Sequence, residues 1–251
     1  IGGLALQLIL DRLNSVSGDV YDFVDTGLIG TDVITNGIIF RTSSVSPVGE
    51  FKLLNSAADP RFNSLRNRHS LAQSFAQTSD GAIVSVVVNH LKSKGSSCDD
   101  SGDPNRDDGQ GNCNQTRTQA AAALADWVAS DPTHSGDADY LVIGDFNAFV
   151  YEDPLTTLAN AGLTNLVQAT VGSKTYSSVF RGEYGALDHA FASASLLPQV
   201  RAAIDWHINA DEPAALDYNL DFGRDPALFK ASTPFRSSDH DPIVVDLDLD
   251  P

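Results

Sequence analysis

Residues 236–249 read RSSDHDPIVVDLDL. The run Ile243–Val244–Val245 has the apolar, β-branched character of a strand packed against a core. Asp239, His240 and Asp241 crowd against its start, although grouping carboxylates beside a buried strand is costly. Three other segments share this design, an apolar run that ends in Asn, His or Asp. They are VVVNHLKSKG (86–95), LVIGDFNAF (141–149) and YGALDHAFAS (184–193). Side chains at such sheet edges are rigidly held and face solvent, which suits chemistry.

The spaces between these strands are filled by helices. IGGLALQLILDRLN, at the start, reads as an amphipathic helix over 2–16 with Leu4, Leu8 and Leu13 inward. TRTQAAAALADWVAS (116–130) is Ala-rich and stops at Asp-Pro. DPLTTLANAG (153–162) has Pro near its start and Gly at its stop. LAQSFAQT and AIVSVVVNH flank Ser-Asp-Gly, a hairpin signal. GIIFR, KTYSSVF and QVRAAIDWHIN supply further strands, and 209–235 is irregular. Alternating strands and helices with hairpins among them predict one α/β domain with mixed sheets over residues 1–251.

Composition sets limits. The 251 residues carry a net charge of −17 and are 42% hydrophobic, with no methionine. A core can form, and no run approaches the 18 apolar residues of a membrane span. The acid is nearly all aspartate; the glutamates are Glu50, Glu152, Glu183 and Glu212. Such a coat keeps a protein soluble and repels polyanions, so nucleic-acid binding would need a local cationic site. Cys98 and Cys113 bracket a polar loop, CDDSGDPNRDDGQGNC, which reads as a disulfide formed outside the cytosol. Within it, DPNRDDG (103–109) approaches a calcium loop. Its glycine comes one residue late and Asn114 stands where the bidentate Glu belongs, so a solvated acidic loop is the plainer reading and a structural Ca²⁺ the alternative.

Each polar strand end alone has an ordinary explanation. Asp145 and Asn147 suit a turn, His90 an edge position, and Asp188–His189 a buried pair. Together, in this order, they resemble the endonuclease/exonuclease/phosphatase superfamily with the DNase I-like fold. The wording IGTDVITNGIIFR, RNRHSLAQSF, NHLKSKGSSC, GDFNAF, LDHAF, WHINADEP and RSSDHDP is similar to its bacterial secreted nucleases. The resemblance runs from about residue 27 to the end.

That resemblance implies a four-layer α/β sandwich, two mixed β-sheets face to face with helices outside. It implies His240 as general base, oriented by Asp188, and His90, Asp145 and Asn147 around the phosphate and nucleophile. It implies Asp239 and Asp145 as ligands of Mg²⁺ or Mn²⁺, with Arg68 and Asn89 at the substrate. His69 stands where proline is common, and a surface histidine is its default role. The implied activity is hydrolysis of DNA, with RNA as a further substrate. Lipid head-group phosphodiesters, and a non-catalytic module, are the alternatives. The family pattern also has an early asparagine and a metal-binding glutamate. None of the four glutamates lies at an early strand end, so an amino-terminal part, or an amino-terminal fragment as partner, is expected to complete the domain.

Overall fold

The computed structural model describes residues 2–172, 174–216, 218–230 and 232–250. At its centre is a six-stranded sheet. In spatial order it runs β3 (Val45–Leu54), β4 (Arg68–Gln77), β5 (Ile83–His90), β6 (Tyr140–Asp145), β10 (Asp188–Ala192) and β7 (Thr164–Asn165). β5 and β6 run parallel; the other neighbours are antiparallel. A parallel pair needs a long crossover, and here it contains helix α2 (Asn114–Ala129).

Strand alternation divides the sheet's two faces. Val87, Val142 and Phe191 face α2 and α3 (Asp153–Asn160), where Ala120, Ala121, Leu124 and Leu158 are fully buried. Val84, Leu141 and Ala190 face the other way. They meet Ala203, Val245 and Leu247 of the ladder β11 (Val200–Asp205)–β12 (Ile243–Leu247), with α4 (Leu166–Val171) alongside. Toward β4, Leu71 and Phe75 pack with Val24 and Ile38 near the ladder β1 (Tyr21–Phe23)–β2 (Ile39–Arg41). Helix α1 (Gly2–Val16) packs on β1. The DNase I-like α/β arrangement expected from the sequence is therefore present. Its second layer, among the described residues, consists of separate two-stranded ladders, β8 (Ser178–Phe180)–β9 (Glu183–Gly185) among them, rather than one continuous sheet. No helix there is long and apolar enough to cross a membrane.

Three local expectations need correction. In α1 the inward stripe is Leu6, Leu10 and Leu13, while Leu4 and Leu8 are exposed. Both stripes have helical spacing, and docking selects the one that lets Leu6 close over Gly37. Strand β3 went unread because Pro47 and Gly49 interrupt it. It is an edge strand with a register shift between Val48 and Lys52, where proline and glycine are tolerated. Helix α4 also went unread; Asn165 caps it by accepting from the Gln168 N–H.

The loop 98–113 is closed by the Cys98–Cys113 disulfide. The Asp103 carboxylate accepts from the Thr116 and Gln115 backbone N–H groups at 2.7 and 3.4 Å, at the start of α2. The loop thus uses its key acid on the helix, and no metal-capable cluster forms there among the described residues. Arg117, fully buried, ties the loop down by donating to the carbonyls of Lys92, Gln110 and Asn112.

Candidate active site

The register of the central sheet builds the site. Arg68 pairs with His90, His90 with Asp145, and Asp145 with Asp188. Four residues from β4, β5, β6 and β10 thus form one transverse row. With strands about 4.8 Å apart, the row spans roughly 14 Å. Directly paired residues share a face, and here it is the one toward the second layer. Gly144 makes the close spacing possible: it has φ +134°, and a Cβ on it would lie 2.0 Å from the Asn89 carbonyl oxygen.

His240 reaches the row from the second layer, just before β12, and bridges to Ser178. Its Nδ1 lies 2.6 Å from Asp188 Oδ2. The same oxygen accepts from Ser177 Oγ at 2.7 Å, and that hydroxyl in turn accepts from the Leu187 and Asp188 N–H groups. Asp188 is thereby fixed from two sides. Ser177 is fully buried, and nothing in the pattern of TYSSVF distinguishes it from an ordinary strand serine.

Asp145 is clamped by its neighbour two residues on. Asn147, in the left-handed region at φ 49°, donates its backbone N–H to Oδ1 at 2.7 Å and its side-chain amide to Oδ2 at 2.9 Å. His90 Nε2 lies 3.4 Å from Asp145 Oδ2. Arg68 meets Asp32 at 3.0 Å.

Burial, and then the charge of Asp188, push the Asp145 carboxyl up to about 7. Burial also opposes charge on His240, but the hydrogen bond and charge of Asp188, with Asp145 and Asp239 behind it, push this imidazole up to about 9. Burial and the Arg68 charge push His90 down to about 4. At neutral pH one imidazole therefore holds its proton and the other is neutral. Asp145 takes up protons because burial, and then the Asp188 charge, disfavour its anion, and a bound cation would offset both.

Asp145, Asp188 and His240 present ligand atoms within 4.8 Å of one another. Carboxylate oxygens suit a hard divalent ion, and the raised Asp145 carboxyl supports that fit. Asp239 is exposed and stands outside this trio, although its charge acts on His240.

Other residues fall elsewhere. Asn89, expected at the substrate, is 1% exposed. Its side chain bonds Ser70 Oγ and the Val87 and Ile143 carbonyls, so it is spent inside the sheet. His189 is buried with Nε2 2.9 Å from the Ala148 carbonyl and Nδ1 3.1 Å from Asn165. Asp241 bonds away from the Asp188–His240 pair and anchors the loop after β11. It accepts from the N–H groups of Ile208, Asn209 and Ala210 and pairs with His207 at 2.9 Å. Adjacent Asp239, His240 and Asp241 thus occupy three different settings: solvent, site and loop anchor.

A family profile described as "Endonuclease/Exonuclease/phosphatase family" matches residues 15–240. The chain belongs to the endonuclease/exonuclease/phosphatase family. This family comprises hydrolytic phosphoesterases that use divalent metals. Among curated proteins no sequence match is found. Solved structures share the fold at low identity. A Bacteroides thetaiotaomicron mannosyl-6-phosphatase is 16% identical with a TM-score of 0.59, covering 97% of this chain and 82% of that one. D. rerio TDP2, complexed with a single-stranded DNA product, is 17% identical with a TM-score of 0.53, covering 94% and 80%. An AP endonuclease from Archaeoglobus fulgidus is 13% identical with a TM-score of 0.53, covering 96% and 83%.

Proposed function

We propose that this family member hydrolyses phosphodiester bonds in nucleic acid, DNA first and RNA as a further substrate, and that it works outside the cell. The observation that carries the chemistry is the 2.6 Å His240–Asp188 contact facing Asp145 and His90 across one row. In its neutral form, which a cation bound beside it would favour by offsetting the surrounding carboxylate charge, His240 takes a proton from water through Nε2 while Asp188 holds Nδ1 and balances the imidazolium that forms. The water oxygen attacks phosphorus, the bond to the leaving oxygen breaks, and that oxygen takes up a proton from solvent to leave as the alcohol. Neutral His90 and the Arg68 guanidinium meet the phosphate oxygens, and Asn147 keeps Asp145 oriented. A divalent ion, Mg²⁺ or Mn²⁺, would be held by Asp145 with Asp188, near the Asp239 charge, and would supply Lewis-acid charge to the phosphate. The disulfide and the acidic coat support a secreted protein.

Substrate class is tested by a panel: plasmid DNA, RNA, mannose 6-phosphate and sphingomyelin, each with Mg²⁺, Mn²⁺ or EDTA. The proposal expects DNA to turn over fastest, and only with a divalent ion. Faster release of phosphate from the sugar ester, or of phosphocholine from the lipid, would move the protein to another branch.

A further inference from the structure

Beyond Arg68, where the row of site residues ends, lies a cavity of about 170 Å³ between loop 29–36 and segment 64–69. The reaction outlined above leaves it unused. Its walls are fixed. Asn36 donates to the His69 carbonyl at 2.8 Å, and Asn67 accepts from the Lys92 N–H at 3.0 Å. Arg66 pairs with Asp100 and donates to Ser101 Oγ at 3.1 Å, tying one wall to the disulfide-closed loop.

Two buried polar atoms here lack a hydrogen-bond partner: Arg68 Nε and His69 Nδ1. The Asp32 carboxylate lies 3.0 Å from Arg68 Nε, an ionic contact without hydrogen-bond alignment. The Arg68 side chain is 15% exposed and Asp32 47%, so the carboxylate on its loop is the partner free to leave. Guanidinium matches a phosphate at least as well as a carboxylate, through paired donors. Burial holds His69 below its usual range, so it is a neutral imidazole. Ile34 and Leu65 add apolar lining. The volume is below the roughly 300 Å³ at which pockets take whole drug-sized ligands, which leaves room for one ring.

We propose that this cavity is the subsite for the nucleoside unit next to the scissile phosphate. Asp32 is its placeholder: a substrate phosphate displaces the carboxylate from Arg68 as the ring enters. This rests on the nucleic-acid reading of the site, but its test does not require turnover.

The test is calorimetric binding of inorganic phosphate, 2-deoxyribose 5-phosphate and thymidine 5′-phosphate to the full chain with Mg²⁺. Wild type is expected to bind thymidine 5′-phosphate at least tenfold tighter than inorganic phosphate. The deoxyribose ester shows how much of that comes from the sugar. Leu65→Ser, at a position 87% exposed and so harmless to folding, and His69→Ala should each cut the tenfold ratio to below threefold. His69→Asn, which keeps a polar atom near Nδ1, should recover part of it. Asp32→Asn should tighten all three ligands about threefold or more. Equal affinities for phosphate and nucleotide, an unchanged ratio in both cavity variants, or weaker binding by Asp32→Asn would overturn the inference. Nucleotide binding as expected without any nuclease turnover would leave the subsite standing and defeat the functional proposal instead.

Discussion

Replacing Asp188 with Asn tests the electrostatics of the site at its most connected point. The carboxylate accepts from His240 Nδ1 at 2.6 Å and from Ser177 Oγ at 2.7 Å. Asn is isosteric, so the fold should survive, but the charge is gone. His240 stands at about 9 against an ordinary 6.5, roughly 2.5 units, or about 3 kcal/mol in favour of the imidazolium at 1.36 kcal/mol per unit. That value already includes a burial penalty, which remains in the variant while the main support is lost. His240 should therefore titrate at least about 2 units lower, helped only by Asp145 and Asp239. Asp145 loses its nearest like charge, and its carboxyl should fall from about 7. The assay is a pH series of imidazole ¹H–¹⁵N spectra on metal-free protein, with His240→Gln used to assign the resonance. Turnover should drop about 10²- to 10⁴-fold, the usual range for a general base that loses its orienting acid. If His240 titrates unchanged while activity falls, Asp188 acts by some route other than the imidazole, and the dyad account is wrong.

The same shifts fix a pH dependence of stability. His240 is raised on folding, so its stabilisation is fully present below pH 6.5 and is lost as pH rises through about 9. Asp145 is also raised, so its proton uptake favours the native state at low pH and this is lost between about 4 and 7. The melting temperature of metal-free protein should fall from pH 6.5 to 9, and Mg²⁺ should flatten that slope; a rising melting temperature over that range refutes the His240 assignment. Gly144→Ala should destabilise by at least about 1–3 kcal/mol from backbone strain alone, before the clash with Asn89, and urea melts would show it. Reducing Cys98–Cys113, which closes a separation of 15 residues, should cost about 3 kcal/mol on the chain-entropy model, and an unchanged melt in reductant would exclude this. Asn147→Ala removes the side-chain bonds to Asp145 at 2.9 Å and to the Leu91 carbonyl at 3.1 Å and puts alanine at φ 49°, so kcat should fall about tenfold or more and the urea melt should show a loss of about 1–2 kcal/mol.

The strands that carry the site were legible because each is an apolar run with a polar end. β5, β6, β10 and β12 all emerge near their expected positions. The row itself was not legible. Nothing in local sequence says that Arg68, His90, Asp145 and Asp188 stand opposite one another, since register is set by long-range pairing. Asn89 was misjudged for a related reason: adjacency to His90 looked functional, but alternation sends it to the opposite, buried face. Ser177, Asp32 and the anchoring role of Asp241 depend on contacts between segments far apart in sequence. β3 was hidden by residues that normally exclude strands and are harmless at an edge.

The central claim is that one imidazole, held by one carboxylate, activates water against a phosphodiester. Nicking of supercoiled plasmid with Mg²⁺, compared between wild type and His240→Ala at equal folded concentration, tests it most directly. The account predicts conversion by wild type and at least a hundredfold slower conversion by the variant. Equal nicking rates would contradict it.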